Sequence, residues 1–364
     1  MVKKMSVKNM HTNGQSEITG SAGFGTAFLA SLGSREREVL RARFGLDGSE
    51  PMTLQAIGDR YDITRERVRQ IESSALGELR HSSGSHPYVR RIADAATREL
   101  KELGGVARED FLISNLKRTL ADKGSEATFG NVVRFVLEFS KQFSFNRDNG
   151  GNWHSFWYLT ETDRRKAEGF VTSLISKSKS DKNAILGGKF NTLVVTHANT
   201  TKVAPRVAEN FVSLSKSFVK GPFGEMGLAD WAEVNPKTAR DWAYAVLKRE
   251  SKPLHFTELS KIIGNRRSDK RTNLQTIHNE LIKDDRFVLV GRGLYALKEQ
   301  GYLAGTAREI ISHLLLKHGP LNSNEVVRLV REQRMLKDAT ILINLQSRKH
   351  FTCLPDGKYC VKEA

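Results

Sequence analysis

Residues 53–80, TLQAIGDRYDITRERVRQIESSALGELR, leave this chain few folds to choose from. Leu54, Ile57, Gly58 and Tyr61 recur at i, i+3, i+4 and i+7, and Val68, Ile71, Ala75, Leu76 and Leu79 form a second apolar stripe. The spacing predicts two amphipathic helices joined by a tight turn, a helix-turn-helix. Thr64 suits an N-cap, so Arg65, Glu66, Arg69 and Gln70 fall in the first two turns of the second helix and point away from its stripe. Side chains at that end of such a helix reach base edges in the major groove. Arginine pairs bidentately with guanine, glutamine with adenine, and glutamate accepts from cytosine N4. The competing reading is a solvated helix face of mixed charge.

The longer stretch Ser34–Arg80 contains SREREVLRARFGL, TLQAIGDRYDITRERVRQIE and SALGELR, and it resembles region 4 of bacterial sigma-70 family factors. The resemblance implies binding of double-stranded promoter DNA at a −35-type element, and contact with core RNA polymerase through the flap of its β subunit. Carried across residue by residue, the family's base and backbone contacts fall on Arg65, Glu66, Arg69 and Gln70, with Thr53, Leu54 and Arg60 near the supporting helix. Complete factors carry a region 2 ahead of region 4 for core binding and promoter melting. Only a short Gly/Ser-rich arm stands in that place here, so the resemblance implies a sigma-like initiation protein or accessory that does not open promoters unaided.

The formal net charge of +17 and a pI near 9.8 favour an anionic partner, and nucleic acid is the natural one. The surplus does not come from the sigma-like segment, where nine arginines between Ser34 and His81 meet nine acids. It concentrates in 164–220, where Arg164, Arg165, Lys166, Lys177, Lys179, Lys182, Lys189, Lys202, Arg206, Lys216 and Lys220 face three acids. Such residues can hold phosphates without reading sequence, or form only a solvated face. Cys353 and Cys360 are the only cysteines, which fits a reducing compartment, and their spacing matches no metal motif. No apolar run approaches the roughly twenty residues of a membrane span. The expectation is a cytoplasmic, nucleoid-associated bacterial protein with no cofactor, no metal and no membrane partner; oligomeric state is open.

The expected fold class is mainly α and multi-domain: an N-terminal helix-turn-helix followed by tandem winged-helix modules, each with a small β-hairpin. Residues 1–33 read as a disordered arm, with one apolar patch at Phe24–Leu32. Residues 34–81 form the region 4-like module, and HSSGSH at 81–86 reads as a flexible linker. Three stretches then repeat one plan of helices followed by a two-stranded wing: 87–160, 223–302 and 303–364. The wing turns are placed at Gly150-Gly151, Gly291-Arg292-Gly293 and Asp356-Gly357. Residues 161–222 read as a basic helical connector, helical over 164–176 and 204–218 and looped over 177–188.

In the second copy, KPLHFTELSKII and LQTIHNELIKDDRFVLVGRGLYAL, within Lys252–Tyr302, resemble the HARE-HTH winged-helix family. That resemblance implies an adaptor for nucleic acid or the transcription machinery. Asn273, Gln275, Thr276, His278 and Asn279 on its helix, and Arg292 at the wing tip, are a possible second DNA or partner surface.

No metalloprotease, P-loop, nucleophile-elbow or CxxC motif is present, and the chain does not read as an enzyme. His154 beside Trp153 and Trp157, and His255 beside Phe256, suit packing or capping better than catalysis. Two alternatives remain beside the sigma-like reading. One is a protein-interaction adaptor of the transcription machinery, and the other is the DNA-binding subunit of a restriction or defence system.

Overall fold

Helices dominate the computed structural model, which describes residues 20–83, 86–267 and 273–362, with small antiparallel sheets set among them. The chain divides into two units, 1–176 with 194–216 and 177–193 with 217–364.

The first unit opens with α1 (Phe24–Phe28), α2 (Ser34–Phe44), α3 (Leu54–Tyr61) and α4 (Arg65–Ser83). It continues through α5 (Pro87–Glu102), β1 (Val106–Arg108), α6 (Glu109–Leu120), α7 (Glu126–Ser140), β2 (Ser144–Asn146) and β3 (Phe156–Tyr158). The chain then runs through α8 (Glu161–Ser180), α9 (Lys182–Ala184), a π-turn at Ile185–Lys189, α10 (Phe190–Thr201) and α11 (Pro205–Leu214).

The expectation of a disordered arm fails over residues 20–33; residues 1–19 lie outside the described residues. Phe24, Phe28, Leu29 and Leu32 are buried in one core with Leu40 and Leu46 of the α2 region, Ala75 and Leu79 of α4, and α5 and α7. Phe24 stacks on Phe28 at 4.9 Å, and Phe28 meets Phe139 edge-on at 5.6 Å. Asp122 fastens the start of the segment by accepting from the Ser21 amide at 2.7 Å and the Ser21 hydroxyl at 2.6 Å. The apolar patch at Phe24–Leu32 was visible in the sequence, but its side chains become stabilising only once α5 and α7 stand beneath them.

The boundary expected at 81–86 is also corrected in part. α4 is a single helix of 19 residues that runs through His81, and Ala75 and Leu79 in its C-terminal half are buried in the same core as α5 and α7. Residues 84–85 lie outside the described residues. Asn131 on α7 completes the joint by donating to the carbonyls of Gly45 and Ser49 at 3.0 and 3.1 Å. Only 5% exposed, this amide pairs the Ser49 carbonyl and adds a second hydrogen bond to the Gly45 carbonyl, which also accepts from the Gly48 amide at 2.9 Å.

Three stretches share one order of elements: helix, short strand, helix, helix, two strands. In the first, the sheet order is β1-β3-β2, all antiparallel. The second comprises α12 (Ala239–Glu250), β6 (Leu254–His255), α13 (Phe256–Arg266), α14 (Leu274–Lys283), β7 (Phe287–Gly291) and β8 (Leu294–Leu297), with sheet order β6-β8-β7. The third comprises α15 (Ala307–His318), α16 (Ser323–Gln333), α17 (Asp338–Leu345), β9 (Phe351–Cys353) and β10 (Tyr359–Val361), and a lone bridge from Leu321 to Tyr359 takes the place of the first strand. The extra strand after each first helix was not read from the sequence, since two or three residues are too few to show a period. In the first copy, Gly104 turns the chain with φ +82°, and α11 approaches it so closely that a Cβ there would lie 2.4 Å from Val207.

The basic connector is not the loop-containing segment that its composition suggested. α8 extends to Ser180, and α9 and the π-turn fill most of 177–188. α11 ends at Leu214, after which β4 (Phe218–Lys220) pairs with β5 (Met226–Leu228). Part of the positive surplus is neutralised where it sits. Arg164 meets Glu161 and Glu168 at 2.8 and 2.6 Å, Arg206 meets Glu102 at 3.3 Å, and Lys182 meets Glu233 at 3.0 Å.

Candidate nucleic-acid interface

α2, α3 and α4 close a small core of Val39, Ala42, Ile57 and Val68, with Leu54, Tyr61, Ile63 and Ile71 packed against it. Thr53 starts α3 by accepting from the Ala56 amide at 3.1 Å. The helix stops where Asp62 turns left-handed, at φ +53°. Ile63 then donates back to the Gly58 carbonyl at 3.0 Å. A Cβ on Gly58 would come within 2.6 Å of the Ile63 carbonyl oxygen, so a residue with a side chain would push the turn open. Thr64 caps α4 through the Arg67 amide at 3.2 Å. Arg43 of α2 crosses to Glu72 of α4 at 3.4 Å and donates to the Met52 carbonyl at 3.1 Å, fixing the angle between helices.

The first turns of α4 leave Arg65, Glu66, Arg67, Arg69 and Gln70 exposed while Val68 is fully buried. At 100° per residue, Glu66, Gln70 and Ser73 run along the middle of the outward face, with Arg65 and Arg69 on one flank and Arg67 on the other. Glu66 accepts two hydrogen bonds from Arg69, at 2.9 and 2.7 Å, and Gln70 accepts from Arg67 at 3.2 Å. The Arg69 bond holds the Glu66 carboxyl below its ordinary range. Both side chains stay more than half exposed (58% and 59%), so water screens the pair and a competing acceptor can draw the guanidinium away. Arg65 makes no hydrogen bond among the described residues. The outward face therefore offers cations and an amide close to the helix start, with the apolar stripe turned fully inward.

Residues 28–81 match the family model of Sigma-70, region 4. The match begins inside α1, in the segment whose apolar side chains complete the core behind α4. The chain is 57% identical over 65 residues to the RNA polymerase sigma factor SigA of Nostoc sp. (strain PCC 7120), which covers 17% of this chain and 17% of that protein. It is 55% identical over 53 residues to the RNA polymerase sigma factor SigA1 of Synechococcus elongatus, covering 15% and 13%. The region 4 match thus explains one short part of the molecule, and the chain spans only a small part of the relatives it resembles.

Within the region 4 segment, the residues named near the supporting helix have local duties. Thr53 is the α3 cap, and Leu54 is half-buried against the small core. Arg60 is exposed and stacks on the Tyr61 ring at 5.6 Å. Of the residues on the outward face of α4, sequence reasoning passed over Arg67 and Ser73, although the same helical period that placed Arg69 also places them.

The proposed second surface is more divided. Asn273 caps α14 by accepting from the Gln275 amide at 2.9 Å, and His278 packs on Phe256 at 4.6 Å. Gln275 donates to Asn279 at 3.1 Å, and both are exposed together with Thr276. Arg292 stands exposed at the β7–β8 turn. The six residues do not form one free face, because a cap and a ring contact hold Asn273 and His278.

The two histidines singled out beside aromatic residues have local contacts. His255 accepts from the Thr257 amide at the start of α13, at 3.3 Å, and the His154 amide donates to the Leu214 carbonyl at 2.9 Å. Cys353 and Cys360 lie on the β9–β10 hairpin but are offset, Cys353 facing Tyr359 and Cys360 facing Thr352. Among the described residues, no group of His, Cys, Asp and Glu could hold a metal ion, and no helix is long and apolar enough to cross a membrane.

Proposed function

We propose that this chain is a sigma-70-like transcription initiation protein that reads a −35-type promoter element through the outward face of α4 and contacts RNA polymerase. The observation that carries the reading is the coincidence of the Sigma-70 region 4 match with a buried-stripe helix whose exposed first turns hold Arg65, Glu66, Arg69 and Gln70. Arginine and glutamine there have the donor geometry for guanine and adenine edges, and Glu66 can accept from cytosine. Arg67 and Arg60 stand where phosphate contacts fix register without reading sequence.

The three copies of helix, strand, helix, helix and hairpin act, in this reading, as winged-helix modules, the second of them HARE-like, that add duplex or polymerase contacts. Their shared sheet order supports that assignment. The protein then works where promoter DNA is, in the bacterial cytoplasm.

Selection of bound duplexes from a random pool, with and without core polymerase, tests the reading. A single enriched motif that disappears with Arg65→Ala or Arg69→Ala is the expected result. An unenriched pool in both conditions rejects it. Polymerase association that survives both substitutions without any motif would place the chain among protein adaptors instead.

A further inference from the structure

We propose that the cleft where α4 runs into the module behind it is a second, sequence-independent contact, a seat for the duplex phosphate backbone flanking the recognised element. The inference rests on α4 being the DNA-reading helix. The cleft has a volume of about 410 Å³ and is lined by Arg80 of α4, Arg90 and Asp94 of α5, Phe139 of α7, and Lys141 and Gln142 just beyond it. Three cations face one carboxylate there.

The cations are held in different ways. The Arg80 guanidinium lies over the Phe139 ring, 5.6 Å from its centre, and Phe139 itself is buried. The ring contact leaves the guanidinium N–H groups unused, since the Arg80 side chain makes no hydrogen bond or ion pair among the described residues. Lys141, the left-handed residue that ends α7, likewise has neither. Arg90 reaches Asp94 only at 3.8 Å, and both side chains are largely exposed, 79% and 66%. This contrasts with Arg43, Arg134 and Arg164 in the same unit, each of which has a carboxylate within 3.4 Å. The cleft collects positive charge that the fold leaves unneutralised.

Its position along α4 selects the ligand. Arg69, Ser73 and Arg80 share one side of the helix, at i, i+4 and i+11. Eleven residues at ~1.5 Å each carry the axis about 16 Å from Arg69 to Arg80. The major groove is only about 12 Å wide. A helix whose first turns touch base edges has therefore left the groove by Arg80 and stands over the sugar-phosphate strand. An unpaired guanidinium and an unpaired ammonium lining one cleft suit a phosphodiester strand, with the planar fork on one phosphate and the point charge on its neighbour. Arg90 of α5 and Lys141 at the end of α7, the other cations, lie outside residues 28–81 that match region 4. The contact is thus an addition made by the appended module.

The test uses the full chain and the double variant Arg80→Gln/Lys141→Gln on the selected duplex. Two lost phosphate contacts should reduce the steepness of log K against log salt by about 1.8, at ~0.9 per contact. Across a tenfold rise in salt, wild-type affinity should then fall about 60-fold further than that of the variant. The selected motif should be unchanged. A scan with single neutral methylphosphonates should show one or two flanking positions that weaken the wild type and leave the double variant unaffected, and Arg80→Lys should recover most of the slope. An unchanged slope and scan in a variant that still selects the motif would overturn the phosphate seat and leave the α4 reading intact. Lack of any motif for the wild type would instead reject the α4 reading, and the seat with it. Loss of core polymerase binding with the DNA slope unchanged would assign the cleft to an acidic protein segment and overturn the proposal.

Discussion

α4 and α14 are both capped helices that turn a polar side outward, and they differ in what that side carries and what stands behind it. α4 presents three arginines within its first five residues, and Ala75 and Leu79 in its second half are buried in a core that includes Tyr88, Phe129 and Phe135. α14 presents Gln275, Thr276 and Asn279, with its one cation, Lys283, at the last position, and Leu274 and Ile282 are exposed at its two ends (42% and 64%). Charge draws a polyanion from any sequence and rigidity keeps the reading residues in register, so α4 has both requirements of a DNA reader. A helix whose first turns carry amides and no cation, with apolar side chains exposed at both ends, has chemistry closer to the middle of a protein contact. Exposure alone does not distinguish the two; the charge on the face and the depth of the anchor do.

The comparison breaks first at Leu79, which is fully buried behind α4. Leu79→Ala should destabilise the first unit by about 2–5 kcal/mol, the usual cost of a large core truncation. Denaturant unfolding followed in the full chain measures it, and a value near zero would mean that α4 is not anchored as described. Next in size is the reading face. Arg65→Ala or Arg69→Ala should lose about 1–3 kcal/mol of discrimination per base contact, whereas Gln275→Ala and Asn279→Ala should leave the selected motif untouched. Equal effects from the two helices would erase the distinction between them.

A smaller effect concerns the strap behind α4. Burial works against the Asp122 carboxylate, but hydrogen bonds from Ser21, Tyr88 and Gly124 outweigh it and hold its pKa below the ordinary value. A depressed carboxyl contributes stability above its unfolded pKa and loses it as pH falls through the folded one. Wild-type stability should therefore decline on acidification below the normal carboxylate range. Asp122→Asn should cost about 1 kcal/mol at neutral pH and flatten that part of the acid profile. An acid profile identical in the two proteins would remove Asp122 from the anchor. Smallest is Arg292→Ala at the wing, which should weaken all duplexes alike and lower the salt slope by about 0.9 without altering the motif. A changed motif would make the second copy a reader in its own right.

The helix-turn-helix was legible in the sequence because each of its parts is local. The period of Val68, Ala75 and Leu79 set the buried stripe and Thr64 marked the start of α4, whereas the Thr53 cap and the close approach at Gly58 were seen only in the structure. Most helices and hairpins of the three copies were legible for the same reason. The cap made by Asn273 is local and an Asn ahead of an apolar run is a readable helix start, whereas the contact of His278 with Phe256 joins two helices and nothing in its spacing announces it. The pairing of Glu66 with Arg69 follows from i, i+3 spacing and could have been read, yet the bidentate bond that occupies the guanidinium depends on rotamers.

By itself, the sequence determined which residues face outward on α4, because helical geometry is a property of a few successive residues. Tertiary structure decided that Phe24–Leu32 would join the core, that α4 would extend into the following module, and that Arg80 would meet Lys141 across a cleft. Those outcomes depend on burying apolar surface between segments distant along the chain, and no local pattern records which distant surface will be there to receive them.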